Sequence, residues 1–117
     1  MAYPMVEIHA IVRREMLDRV VRQLKEAGVP RLTVTKVHAI GSGVDPAAAR
    51  LSLDEGTEYA DKAMVQFICA EERRDMYAEL IAEAARTGRQ GDGIVYVMPV
   101  LEVTKLRTGA SGLEALR

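Results

Sequence analysis

Residues 6–28 read VEIHAIVRREMLDRVVRQLKEAG, and this stretch decides the fold. Its first seven residues alternate. Val6, Ile8, Ala10 and Val12 fall on one face, and Glu7, His9 and Ile11 on the other, the period of a strand. From Arg13 to Ala27 the period lengthens. Met16, Leu17, Val20, Val21 and Leu24 form an i, i+3, i+4 stripe, so the spacing predicts a helix. Gly28 stands where a C-terminal glycine cap belongs, and Pro30 bars continuation.

The rest of the chain extends this pairing. Arg31 to Ile40 is rich in β-branched residues (Thr33, Val34, Thr35, Val37) and predicts a second strand. Lys62 to Ala70 predicts a third, with Ala63, Val65, Phe67 and Cys69 on one face. Glu72 to Arg86 predicts a second helix carrying Met76, Leu80, Ile81 and Ala84 inward and ending at Gly88. Ile94 to Val100 predicts a fourth strand. The order β-α-β-β-α-β gives an α+β, ferredoxin-like fold in which two helices cover one face of an antiparallel sheet. Apolar positions on both faces of the strands imply that the open face is buried, most simply by self-association. Residues 1–117 are expected to form a single domain. Between the second and third strands, residues 41–61 (GSGVDPAAARLSLDEGTEYAD) show no sustained period and read as a long, mobile, functional loop.

Composition narrows the function. The apolar share is 49% and the aromatic share 4%, with no Trp, so the core is built from Val, Leu, Ile, Ala and Met. The net charge of −1 gives no general attraction to nucleic acid or anionic membranes. The single cysteine, Cys69, excludes an intrachain disulfide and fits a reducing compartment. No signal peptide or membrane-length apolar run is evident, so a cytoplasmic location without membrane insertion is expected.

The turn Gly91-Asp92-Gly93 precedes the fourth strand, and Lys105 and Arg107 alternate on an extended segment beyond it. Exposed amides in a glycine turn and two cations on one strand face suit a small anion such as phosphate. Arg86 and Arg89 add to the local charge. Thr33 and Thr35 share a strand face, either as plain β-formers or as hydroxyl contacts to a ligand at a subunit edge. His9 and His38 fall on strands that are not neighbours in this fold and have no matched ligands, so they read as structural. Cys69 reads as buried packing with nothing basic beside it, and Arg13-Arg14 and Arg73-Arg74 as solvated helix starts. No nucleophile–base arrangement assembles, so no enzyme is expected.

The segment LTVTKVHAIG (Leu32–Gly41), the run ARTGRQGDG (Ala85–Gly93) and Arg107-Thr108-Gly109 together resemble the PII signal-transduction family. The resemblance covers nearly the whole chain. It implies a homotrimer with an adenine nucleotide (ADP, ATP or AMP) in each cleft between subunits. It also implies that residues 41–61 are the family's effector element, the T-loop, docking on a protein target such as a membrane transporter or a metabolic enzyme. By position, Gly91, Asp92 and Gly93 would hold phosphates through backbone amides, and Lys105 and Arg107 would pair with phosphates. Thr33 would approach the adenine, Gly41 would fall at the start of the loop, and Lys62 would lie near the phosphates at its far base.

The chain departs from the family pattern at Ile94, Lys105, Gly43, Gln66 and Ala39. These departures imply fewer contacts to magnesium and 2-oxoglutarate and a divergent PII-like branch rather than a nitrogen-status regulator. The alternatives they leave are a sensor of a small anion such as bicarbonate together with AMP or ADP, or a metal-responsive trimer built from His9, His38, Cys69, Asp54, Glu55 and Glu58.

Overall fold

The computed structural model describes residues 3–41, 49–52 and 57–117. Strands β1 (Met5–Arg13), β2 (Thr33–Ala39), β3 (Ala49–Ser52), β4 (Thr57–Ala70) and β5 (Gly93–Pro99) form one antiparallel sheet in the order β2-β4-β1-β5, with β3 paired to β4. Helices α1 (Leu17–Glu26) and α2 (Arg74–Ala85) pack on one face. The ferredoxin-like arrangement read from the sequence is the fold observed.

The core lies between that sheet face and the helices. The inward residues of β1 (Ile8, Ala10, Val12) and of β4 (Ala63, Val65, Phe67) meet Val20 and Leu24 of α1 and Tyr77 and Ile81 of α2. The Phe67 and Tyr77 rings meet edge to face at 5.5 Å between centroids, the geometry that aromatic quadrupoles favour.

Helix α1 ends as its sequence predicts. Gly28, at φ +101°, donates to the Lys25 carbonyl at 3.0 Å, and Val29 to the Leu24 carbonyl at 3.1 Å. Val29 and Leu24 are both buried, which completes a Schellman cap with its hydrophobic contact.

Several element boundaries differ from the sequence reading. Each helix is entered through a turn of 3-10 helix, Arg14–Met16 and Glu71–Arg73. Within α2, Tyr77 is buried and Met76 is exposed, where the sequence reading placed Met76 inward, because Tyr77 stands four residues before Ile81 on the buried stripe. Helix α2 ends at Ala85, because Arg86 is already extended, so Gly88 belongs to the following loop and not to a cap.

The third strand of the prediction begins earlier, at Thr57 rather than Lys62. It pairs with Ala49–Ser52 in register from Ala49↔Ala60 to Ser52↔Thr57. Part of the segment read as a loop is therefore a hairpin. The remainder of residues 41–61, namely 42–48 and 53–56, lies outside the described residues.

The chain after Pro99 is not a strand. A lone bridge, Thr104↔Ser111, closes a tight turn in which Lys105 N–H donates to the Ala110 carbonyl and Gly109 N–H to the Lys105 carbonyl, both at 2.8 Å. Lys105 and Arg107 therefore sit on this turn, not on one face of an extended segment.

Candidate functional site

The glycine turn is held from beneath by buried cations. Arg13, the last residue of β1, is only 3% exposed. Its Nε donates to Asp92 Oδ1 at 3.0 Å and its Nη2 to the Gln90 carbonyl at 2.7 Å. Lys62, its register partner on β4 and 4% exposed, directs Nζ at the Gly91 carbonyl. Arg13 thus corrects the sequence reading of a solvated helix start. Its partners lie 77 and 79 residues away, so no local pattern could have revealed them.

The Asp92 carboxylate does not face outward. Oδ2 accepts from the backbone N–H groups of Thr87 and Gly88, each at 2.8 Å. Oδ1 accepts from Thr87 Oγ1 at 2.5 Å as well as from Arg13. These donors, the Thr87 hydroxyl foremost, hold the carboxyl well below the usual carboxylate range against the opposing effect of burial, so it stays ionised.

Gly91 and Gly93 have φ of +97° and +104°. A Cβ on Gly93 would lie 1.8 Å from the Ile11 carbonyl oxygen of β1, so that position admits no side chain without moving the strand. Asp92 and Gly93 line a cavity of about 280 Å³ with Ile11, Val12 and Arg86.

Thr33 and Lys105 meet at a different place. Both line a cavity of about 200 Å³ with Glu7, Arg31, Gln66 and Thr104. Lys105 Nζ and Arg31 Nη2 both donate to the Arg117 carbonyl oxygen, at 2.7 and 2.9 Å. Arg31 is a cation of this cleft that the sequence reading did not nominate. Thr33 pairs with Gln66 on β4, four residues beyond Lys62, which is roughly 13 Å along the strand. Gly41, at φ +135°, follows the end of β2, where Ala39 pairs with Ala60, so it belongs to the Lys62 end. Arg107 is exposed on its turn.

Within one chain the expected site residues therefore form two groups. Gly91, Asp92, Gly93 and Lys62, with Gly41 nearby, occupy one end of the sheet. Thr33 and Lys105 occupy another cleft, and Arg107 joins neither.

Beside the first group stands the root of the hairpin. Asp61 takes Arg14 Nη1 at 3.5 Å and His38 Nε2 at 3.4 Å, and the His38 ring rests on Tyr59 at 4.3 Å. His9 contacts Glu7 at 2.5 Å on the open sheet face and stacks on Tyr96 at 4.9 Å. Among the described residues no three His, Cys, Asp or Glu side chains come together as a metal site. Cys69 is buried, and burial pushes its thiol up to about 11. Arg73 does adjoin it, contrary to the sequence reading, but its lowering effect is smaller.

Residues 5–110 match the family model described as Nitrogen regulatory protein P-II. The chain belongs to the P-II family. A Nitrogen regulatory protein P-II of Rhizobium meliloti is 34% identical over 112 residues, covering 96% of this chain and all of the relative. Nitrogen regulatory protein GlnK2 of Haloferax mediterranei is 37% identical over 93% of this chain and 89% of its own length. Among solved structures, PII of Arabidopsis thaliana bound to citrate superposes with a TM-score of 0.81 at 27% identity, covering 97% of this chain and 92% of that one. The chain is thus a P-II signal-transduction regulator. These relatives are named for nitrogen regulation, so their names give no support to a branch apart from nitrogen-status regulators. Among the described residues no helix is long and apolar enough to cross a membrane.

Proposed function

We propose that this P-II protein binds an adenine nucleotide between neighbouring copies of the chain and transmits the bound state through residues 41–61. The observation that carries the reading is the division of the site. The glycine turn with Lys62 supplies amides and a cation at one end of the sheet, and Thr33, Arg31 and Lys105 supply a hydroxyl and cations in a separate cleft. A nucleotide bound between two protomers can draw one group from each, and a closed ring of three, expected of the family, gives every group a partner. The open sheet face supports such assembly, because Ile94, Tyr96 and Met98 of β5 are exposed there.

In this assembly Gly91, Asp92 and Gly93 hold phosphates through backbone amides. Lys62 keeps its hold on the Gly91 carbonyl and places its charge at the foot of the phosphates, Lys105 and Arg107 approach them from the neighbouring copy, and Thr33 lies by the adenine. Gly41 begins the effector loop of a single domain spanning residues 1–117. Nucleotide binding orders that loop, and the ordered loop selects a protein target, a membrane transporter or a metabolic enzyme, in the cytoplasm. The reading requires no catalytic turnover.

Hydrogen exchange of residues 41–61 with and without ADP or ATP tests the proposal. Protection on binding is expected; unchanged exchange at saturating nucleotide would refute loop ordering.

One observation favours a variant of this reading. Ile94 follows the glycine turn with its apolar side chain 60% exposed, so no cation stands there for a third phosphate. AMP or ADP, with a small anion such as bicarbonate beside it, then fits better than ATP with magnesium and 2-oxoglutarate. Calorimetry of AMP, ADP and ATP, each with and without bicarbonate, ranks the two.

A further inference from the structure

Two buried side chains act on three consecutive residues of the glycine turn. Arg13 takes the Gln90 carbonyl, Lys62 the Gly91 carbonyl, and Arg13 again the Asp92 carboxylate. A trans peptide directs its C=O and its N–H to opposite sides, and the described chain has no cis bond. With the Gln90 carbonyl turned inward onto Arg13, the N–H of Gly91 points away from it. With the Gly91 carbonyl turned inward onto Lys62, the N–H of Asp92 points away likewise. Two successive amides directed to the same side make a concave anion cradle. The glycine φ of +97° at Gly91 permits the reversal this needs.

The same guanidinium settles an electrostatic conflict. Asp92 is an ionised carboxylate within the turn meant to receive phosphate, and an uncompensated negative charge there would repel the ligand. Its oxygens are occupied by Thr87, Gly88 and Arg13, and only Arg13 among these donors carries a charge. Arg13 is too deeply buried to reach a ligand on the outer side of the turn.

We propose that Arg13 is the positioning residue of the anion site: it turns the glycine-loop amides outward and cancels the charge of Asp92, without touching the ligand. The inference rests on the nucleotide reading above, and it assigns to Arg13 a role in phosphate affinity rather than in general stability.

The test compares wild type, Arg13→Met and Arg13→Lys, each verified as folded by circular dichroism. Binding of ADP, inorganic pyrophosphate and adenosine is measured by calorimetry, and exchange of the Gly91 and Asp92 amides by NMR. In Arg13→Met the affinity for ADP and pyrophosphate is expected to fall about tenfold, as for loss of one charge-assisted contact, with adenosine affinity unchanged. Amide exchange in the turn is expected to rise without any ligand. Arg13→Lys keeps the charge and loses the fork, so a smaller loss in the same direction is expected, and this variant decides the matter if the methionine variant does not fold. Unchanged affinity for the phosphate ligands, an equal loss for adenosine, or unchanged amide exchange would overturn the proposal. Failure of wild type to bind ADP while it binds pyrophosphate would remove the nucleotide reading and leave the role of Arg13 to the pyrophosphate and exchange measurements. Failure to bind either would remove both.

Discussion

Replacing Asp92 by Asn changes one oxygen for an NH2 group and almost nothing in volume. In the native turn Oδ1 accepts from Arg13 and Thr87 Oγ1, and Oδ2 from the Thr87 and Gly88 amides. Whichever way the amide is placed, one of these donor pairs faces another donor. The substitution also removes a negative charge from beside the Arg13 guanidinium, which is 3% exposed. Hydrogen bonds to charged groups contribute about 1.5–3 kcal/mol each. With the carboxylate 23% exposed, solvent screens part of this, and a loss of about 2–4 kcal/mol is expected. For a domain of this length that lowers Tm by roughly 10–20 °C.

The assay is urea unfolding of both proteins followed by far-UV circular dichroism, repeated at several pH values. The folded carboxyl lies below its ordinary value of 3.8. Its contribution is therefore complete above that value and is lost as pH falls through the folded pKa. The gap between wild type and variant should be widest at neutral pH and close as the solution is acidified below about pH 4. A difference under about 0.5 kcal/mol at pH 7, within the range of ordinary surface changes, or a gap that widens in acid, would refute the view that this carboxylate ties the turn.

Two further outcomes follow from the geometry. Gly93→Ala places a methyl group 1.8 Å from the Ile11 carbonyl oxygen on a backbone of positive φ. It should destabilise by about 2–4 kcal/mol through strain and a disturbed β1–β5 pairing, read as a lowered urea midpoint; a midpoint equal to wild type would contradict the close approach of the two strands. Cys69, raised to about 11, should react with Ellman's reagent at pH 8 only slowly in the native protein and rapidly in urea. Because the raised pKa favours the neutral thiol in the fold, its stabilising contribution is present below the ordinary value of 9.0 and fades as pH rises toward 11. Fast native labelling would show the thiol to be accessible.

Much of this molecule was legible in its residues because its signals are local. The alternation from Val6 to Val12 and the glycine cap at Gly28 depend on neighbours a few positions away, and both stand as read. The phase error at Met76 and Tyr77 arose because the two are adjacent apolar residues, and only Tyr77 stands four residues before Ile81 on the buried stripe. The hairpin of Ala49–Ser52 with Thr57–Ala60 was hidden because the small and polar residues there carry no alternation to mark a strand. The contacts of Arg13 with Asp92 and Gln90 join residues 79 and 77 positions apart. The sequence marks Asp92 through its glycines, yet it cannot say that the carboxylate turns inward to Thr87 while the amides turn out. Nor could it show that Lys105 and Arg107 ride on a turn closed by Ala110, because Lys-x-Arg spacing is the same in a strand and in a short bend.

β4 runs fourteen residues, twice the length of β2 or β5. At about 3.3 Å per residue it is a rod of roughly 45 Å, and its near end reaches past β1, whose pairing with it stops at Lys62. Lys62 thus lies where the pairing with β1 ends, on one continuous strand that β2 and β3 still flank as far as Ala60 and Thr57. A push on the outlying tip is therefore delivered straight to the residue that grips the glycine turn, as through a lever with no elbow.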